Sequence, residues 1–294
     1  MTLLQLKYFT AVCSHGSVSA AADSLFLAQP SLSAAIRELE QEFGVPLFRR
    51  HHRGMALTPE GEKLFSMAQS LLSQAEQAQR LMAELGKRRM VLRLGIPPMI
   101  GSLLLPTLFR DFLPLYPDLT LTTIEEGRQD LLSKLENDQL DLAILPHDLP
   151  LSSSLSSLEL GQLETVCCVN VDHPLARRSD ICPEVLADTP LVLFQNSFFQ
   201  TEVVKNWFVR SQVTPNILLQ TGQLSTLQSV VSSTNAAGFL FRPLLEGQDR
   251  LRPLALSQPV LTRVSLCWNR QSTSFSAMKL LRDFLASAAP LFGA

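Results

Sequence analysis

Residues 28–41 read AQPSLSAAIRELEQ, with a proline and two serines at the start of a segment that continues as an amphipathic helix. At about 100° per residue, Leu32, Ile36 and Leu39 form one stripe, and Pro30, Ser33, Ala34, Arg37 and Gln41 lie opposite it. Gln29 and Ser31 sit on the first turn. Their chemistry is hydrogen bonding to a partner outside the helix. Gln bonds adenine bidentately, Ser serves either kind of base, and the free N–H groups of a helix start suit phosphate. Pro30 is at home there, because the donor it lacks has no helical partner. The basic run RRHHR at 49–53, followed by Gly54, puts Arg50 and Arg53 where they either clamp a phosphate backbone or stand in a solvated loop.

Three further helix starts carry candidate residues: PPMIGS (97–102), with Pro98, Met99, Ile100, Gly101 and Ser102; QNSF (195–198), with Gln195, Asn196 and Ser197; and TGQLS (221–225), with Gln223 and Ser225. Free N–H groups at the positive dipole end make such starts anion sites. Arg242, in FLFRP, either faces a carboxylate or pairs elsewhere on the surface. Phe198, Phe199 and Phe241 suit core or cleft wall. The cysteines at 13, 167, 168, 182 and 267 are odd in number and lack a C-x-x-C spacing, so free thiols are expected, with Cys167 and Cys168 on opposite faces of a strand. His147 and His173 have no partner at metal spacing, and no G-x-S-x-G, P-loop or G-x-G-x-x-G occurs. Neither a metal nor a cofactor is expected, and an α/β enzyme is the reading with least support.

These residues need positioning elements. A length of 294 residues, 46% apolar and 18% charged, suits a globular protein of about two domains. No apolar run approaches the ~18–20 residues of a membrane span, and the first residues lack the pattern of a secretory signal. A cytoplasmic protein with no membrane partner is the expectation. The net charge of −2 divides unevenly, with +2 on residues 1–90 and −4 on the rest.

Leu3, Leu6, Phe9, Val12 and Cys13 mark a first helix over 3–14, ended by Gly16. A short second helix covers 20–26, and the quoted helix is the third, so the order is that of a helix-turn-helix, a geometry that also occurs in structural cores. Residues 47–57 read as a small hairpin. Thr58-Pro59 opens a long helix over 59–86. Along it Leu64, Ala68, Leu71, Ala75, Ala78, Met82 and Leu85 step by four and three in turn. That seam packs either on its own domain or, as favoured here, on a second copy. KRR at 87–89 reads as a hinge.

From residue 91, strands (91–96, 119–125, 140–145) alternate with helices (100–113, 128–138), which implies a parallel sheet. The serine-rich stretch 151–157 reads as a loop. A second set follows: strands at 164–170, 191–194, 216–220 and 238–241, with helices near 197–210 and 224–233. A strand at 262–268 and a helix at 275–288 return to the first set. Two such lobes form a hinged clamshell, with the three helix starts converging on the cleft.

From Leu3 to about Gly61, LKYFTAVCSHGSVSAAADSL, QPSLSAAIRELEQEFGVPLFRR and RGMALTPEG resemble the LysR-type transcriptional regulators, and the order of elements matches over the whole length. The resemblance implies an α+β multidomain chain. Residues 1–58 would be a winged helix-turn-helix, 59–89 a linker and dimerisation helix with its hinge, and 90–294 a two-lobed α/β domain resembling type 2 periplasmic binding proteins. Lobe I would be about 90–160 and 265–294, and lobe II about 161–264. Gln29, Pro30, Ser31, Ser33 and Arg37 correspond to the recognition helix, and Arg50 and Arg53 to the wing. Ala28 replaces the usual Ser or Thr cap, and Ala34 stands where a basic or polar residue is common. The resemblance implies promoter DNA, a homodimer or homotetramer, and a small organic acid as effector at the three helix starts. Met99 and Ile100, where relatives often carry Ser or Thr, favour a small carboxylate with an apolar end. The alternative is a stand-alone small-molecule binding protein.

Overall fold

The computed structural model describes residues 1–51, 54–86, 90–148, 150–271 and 276–292; of Arg50, His51, Arg80, Glu84 and Leu85 it describes the backbone alone. The chain divides into two units, Met1–Leu85 and Gly86–Ala294.

The first unit opens with α1 (Leu3–His15), set by a capping box in which Thr2 Oγ1 accepts from the Gln5 N–H and Gln5 Oε1 accepts from the Thr2 N–H. Gly16, at φ 62°, ends α1, and Ser17 caps α2 (Val18–Ser24). Next come α3 (Gln29–Phe43), β1 (Phe48–His51), β2 (Gly54–Leu57) and α4 (Pro59–Leu85). β1 and β2 pair antiparallel, from Phe48 opposite Leu57 to His51 opposite Gly54. Leu6, Phe9, Val12, Ala21, Ala22, Leu32, Ile36, Leu39, Leu47 and Ala68 share one buried core. The stripe read from the sequence of α3 therefore faces inward. The Thr58 hydroxyl accepts from the Gly61 N–H at 3.0 Å and donates to the Pro46 carbonyl at 2.7 Å, so one side chain both caps α4 and fixes the hairpin to it. Gly61 has no alternative, since a Cβ there would collide with the Leu47 carbonyl.

The second unit runs β3 (Met90–Ile96), α5 (Pro98–Thr107), β4 (Leu119–Glu125), α6 (Arg128–Glu136), β5 (Leu142–His147), β6 (Leu155–Asn170), β7 (Asp180–Ile181), β8 (Leu191–Phe194), α7 (Phe199–Arg210), β9 (Ile217–Thr221), α8 (Leu224–Ser233), β10 (Ala237–Phe241), β11 (Leu251–Leu256), β12 (Val260–Asn269) and α9 (Ser276–Ala288). The sheet order is β4-β3-β5-β12-β6-β10-β8-β9, with β11 on β6 and β7. β3 is parallel to β4 and β5, and β8 is parallel to β9 and β10, as alternating strands and helices require. β6 and β12 are the long antiparallel strands joining the two parallel sets, and their register shifts between Val264 and Ser265. Opposite that shift lies Gly161, at φ 127°, where a Cβ would collide with the Phe292 carbonyl. The chain returns to the first half through α9, whose Phe284 ring lies 5.2 Å from Phe112.

Three expectations need correction. The serine-rich loop ends earlier than read, because Ser156 and Ser157 are already strand, paired with Trp268 and Cys267. Pairing with a long neighbour outweighs weak strand propensity. β11 was not anticipated, since Pro253 within it argues against a strand. The helix read over 100–113 begins at Pro98 and, after Pro106, continues from Leu108 to Phe112 with the wider spacing of a π-turn. Cys167 and Cys168 do face opposite ways: Cys167 joins the core with Val204 and Trp207, and Cys168 Sγ lies 3.5 Å from where a Cβ on Gly238 would stand. Burial pushes the Cys168 thiol up to about 12 and Cys167 well above its usual range, so neither is poised as a thiolate.

Candidate DNA-reading face and effector cleft

α3 starts without a side-chain cap, since Ala28 offers only its carbonyl, which accepts from the Ser31 N–H at 3.0 Å. Gln29, Pro30, Ser31, Ala34 and Arg37 are exposed, and Ser33 is half-buried. Arg37 Nε donates back to the Ser33 carbonyl at 3.2 Å, which lays the guanidinium along the open side of the helix. The hairpin beside it is held by a residue the sequence reading missed. Glu40 accepts from the Leu47 N–H at 2.8 Å and the Phe48 N–H at 3.3 Å, so α3 itself anchors the first wing strand. Its signal in the sequence was only an acid on the inner flank of an amphipathic helix. Arg49 is exposed on β1; the Arg50 side chain and all of Arg53 lie outside the described residues.

Along α4 the seven seam positions separate. Leu64 packs against the domain core and Ala68 lies within it, so these two already have partners in the chain. Leu71 and Met82 are 39% and 67% exposed, Ala78 is exposed and Ala75 half-buried. The Leu85 side chain and residues 87–89 lie outside the described residues.

In the second unit, two of the three predicted helix starts line one cavity of about 440 Å³. Pro98 and Ser102 come from α5, and Gly222, Gln223, Leu224, Ser225 and Gln228 from the start of α8. Gln195 does not line it but lies next to Gly222, with Oε1 3.7 Å from where a Cβ on Gly222 would stand. Asn196 turns away, accepting from Lys205 at 2.7 Å and Gln220 at 3.1 Å. Ser197 instead backs onto Gly127, where a Cβ would collide with its carbonyl. Met99 and Ile100 are 6% and 0% exposed and Gly101 is buried, so PPMIGS gives its apolar side chains to the core and mainly its hydroxyl, Ser102, to the cavity.

The charge at this cavity departs from expectation. Its lining holds one carboxylate, Glu125, and no cation. Glu125 Oε2 lies 3.6 Å from where a Cβ on Gly101 would stand, beside the first turn of α5. The positive end of that helix therefore faces an acid of the protein's own. Arg242 does not line the cavity. It pairs with Glu164 through Nε and, at 3.0 Å, through Nη2, and this holds the Glu164 carboxyl below its usual range. Of the two readings of Arg242, the structure shows the paired one. Among the described residues no group of three or more His, Cys, Asp and Glu is arranged to hold a metal ion, and no helix is long and apolar enough to cross a membrane.

A third helix that buries one stripe and opens its polar start, followed in the chain by an α/β unit with a polar cavity, defines the class of helix-turn-helix protein that carries a second, α/β domain. Comparison with known proteins gives that class its family. Residues 3–62 match the family described as bacterial regulatory helix-turn-helix protein, lysR family, and residues 86–290 match the LysR substrate binding domain. The chain is 31% identical over 295 residues to the Hca operon transcriptional activator HcaR of Escherichia coli (strain K12), covering 97% of this chain and 96% of that one. The fold is similar to that of full-length CbnR complexed with its target DNA, at TM-score 0.68 and 19% identity, covering 97% and 98% of the two chains. The regulatory domain of Synechocystis PCC6803 CcmR in complex with 2-PG is similar over 69% of this chain and 99% of that one, at TM-score 0.63 and 19% identity. The chain belongs to the LysR family of transcriptional regulators and carries both the helix-turn-helix domain and the effector-binding domain of that family.

Proposed function

We propose that this cytoplasmic regulator reads promoter DNA with the start of α3 and is switched by a small organic acid held between the halves of its second unit. One observation carries the DNA reading: α3 has an exposed, uncapped, polar first turn above a fully buried stripe. Gln29, Ser31 and Ser33 read bases, and Pro30 sets the first turn. Arg37, with Arg50 and Arg53 on the wing, holds the phosphates. The working segments are a winged domain over 1–58, a linker over 59–89 and an effector domain over 90–294. Lobe I is about 90–160 with 265–294, and lobe II about 161–264. The register shift at Val264/Ser265 opposite Gly161 supports that division.

A second copy covers the C-terminal part of α4, where Leu71, Ala78 and Met82 stand exposed at seam spacing. Two such dimers form the tetramer that sits on DNA, and the effector acts by binding one arrangement of the dimers better than the other. The effector is a carboxylate with an apolar end.

Salt dependence tests the DNA reading. Binding of the full chain to duplex DNA should weaken with salt, and Arg50→Ala or Arg53→Ala should each lower the slope of log K against log salt by about one. A slope unmoved by either change removes the wing from the interface. Leu71→Glu should yield a smaller oligomer by light scattering, and an unaltered mass rejects the seam.

A further inference from the structure

A bulge leaves one strand with more backbone groups than its neighbour can pair. In β6 the register passes from Gly161 opposite Val264 to Glu159 opposite Ser265, so Leu160 has no residue opposite it on β12. Leu160 is fully buried, and a buried carbonyl left bare is costly. The segment after α9 completes it. The Leu160 carbonyl accepts from the Leu291 N–H at 2.8 Å and the Phe292 N–H at 3.2 Å. The Phe292 carbonyl in turn accepts from the Gln162 N–H at 3.3 Å, and Phe292 forms a parallel bridge with Gly161. Phe292 is 8% exposed, so its side chain is anchored along with its backbone.

The place of these bonds matters more than their number. β6 and β12 join the two parallel sets, and the bulge lies where lobe I, ending at about 160, gives way to lobe II, beginning at about 161. Leu160 is then on one side of the crossing and Gln162 on the other, and Phe292 bonds both. Residues 290–292 are tied to lobe I, since α9 buries Met278, Leu281 and Leu285 and sets Phe284 against Phe112. Gly161, between the two bonded residues, has φ 127°, a region that glycine enters readily and other residues rarely do. Hinges absorb their motion in a few such positions. A rotation at Gly161 changes the separation of the Leu160 carbonyl and the Gln162 N–H, so Phe292 cannot keep both bonds through it.

We propose that residues 290–292 form a strap across the hinge of the second unit. Docked on Leu160 and Gln162, the strap holds one angle between the lobes; released, it lets lobe II turn. This rests on the division into lobes and on the reading of the chain as an effector-controlled regulator. An effector that changes the angle works with or against the strap, and the strap sets how the two arrangements are populated before any effector binds.

Paired spin labels in the full-length protein measure the angle. The half-buried Cys13 and Cys182 are replaced by serine, and labels are attached through Glu136→Cys in lobe I and Val209→Cys in lobe II, both exposed positions. Labelled chain is diluted into excess unlabelled chain, so that only distances within one chain are read. The intact strap should give one narrow distance distribution. Phe292→Ala, and a chain stopped after Ala289, should each broaden or shift that distribution and speed amide exchange over 160–163 about tenfold, whereas Phe292→Leu, which keeps an apolar anchor, should do neither. Phe292→Ala leaves the backbone in place and keeps the test decisive where the shortened chain folds poorly. Unchanged exchange in both variants would mean that the strap is not docked, and would overturn the proposal while leaving the lobe division standing. Faster exchange with an unchanged distance would overturn the proposal together with the reading of the crossing as a hinge.

Discussion

α3 and α5 begin alike and end up doing opposite things. Each has a proline in its first turn, an apolar N-cap and no side chain bonded to its free N–H groups. The start of α3 is open, with Gln29, Pro30 and Ser31 exposed. The start of α5 is closed, with Pro98, Met99 and Ile100 buried and the Glu125 carboxylate beside its first turn. A helix start recruits an external anion only when it is accessible and the protein has not placed its own acid there.

The largest expected difference between α3 and α5 is in stability. Ile100→Ala should cost about 2–5 kcal/mol in denaturant unfolding of the second unit, because it empties a fully buried site. Ser31→Ala, at the matching turn of α3, should change unfolding by no more than about 0.5 kcal/mol. Equal costs would break the contrast. A smaller effect follows from giving α3 the cap it lacks. Ala28→Ser should stabilise the first unit by about 1 kcal/mol in thermal unfolding, and no gain would mean that its N–H groups are already satisfied. Smaller still, Glu125→Gln should cost about 0.5 kcal/mol by removing a negative charge from a helix start. A stabilisation there would mean that the acid is held in place for a ligand and not for the helix.

The α3 face was legible because a period of 3.6 and a run of small polar residues coincide within 15 residues, and burial of Leu32, Ile36 and Leu39 follows from the same pattern. The wing hairpin was legible from its glycine-centred turn and basic run, and family resemblance matched it to a wing. The cleft was legible only in outline. PPMIGS reads the same whether its apolar residues face a cleft or a core, and burial of Met99 and Ile100 is decided by the sheet they pack on. Glu125 stands 24 residues beyond Gly101, so nothing local ties the two together. Arg242 could be read either way because it follows a strand, and Glu164, 78 residues away, decides it. The start of β6 was misread because its serines signal a loop locally, while β12 supplies pairing that no local signal records.

The central claim is that the open start of α3 reads sequence, and selection from a random-sequence duplex pool tests it most directly. The full-length protein should enrich one motif with two related halves, and Gln29→Ala or Ser33→Ala should enrich a motif relaxed at one position in each half. Failure to enrich any motif, or an identical motif from wild type and both variants, would contradict it.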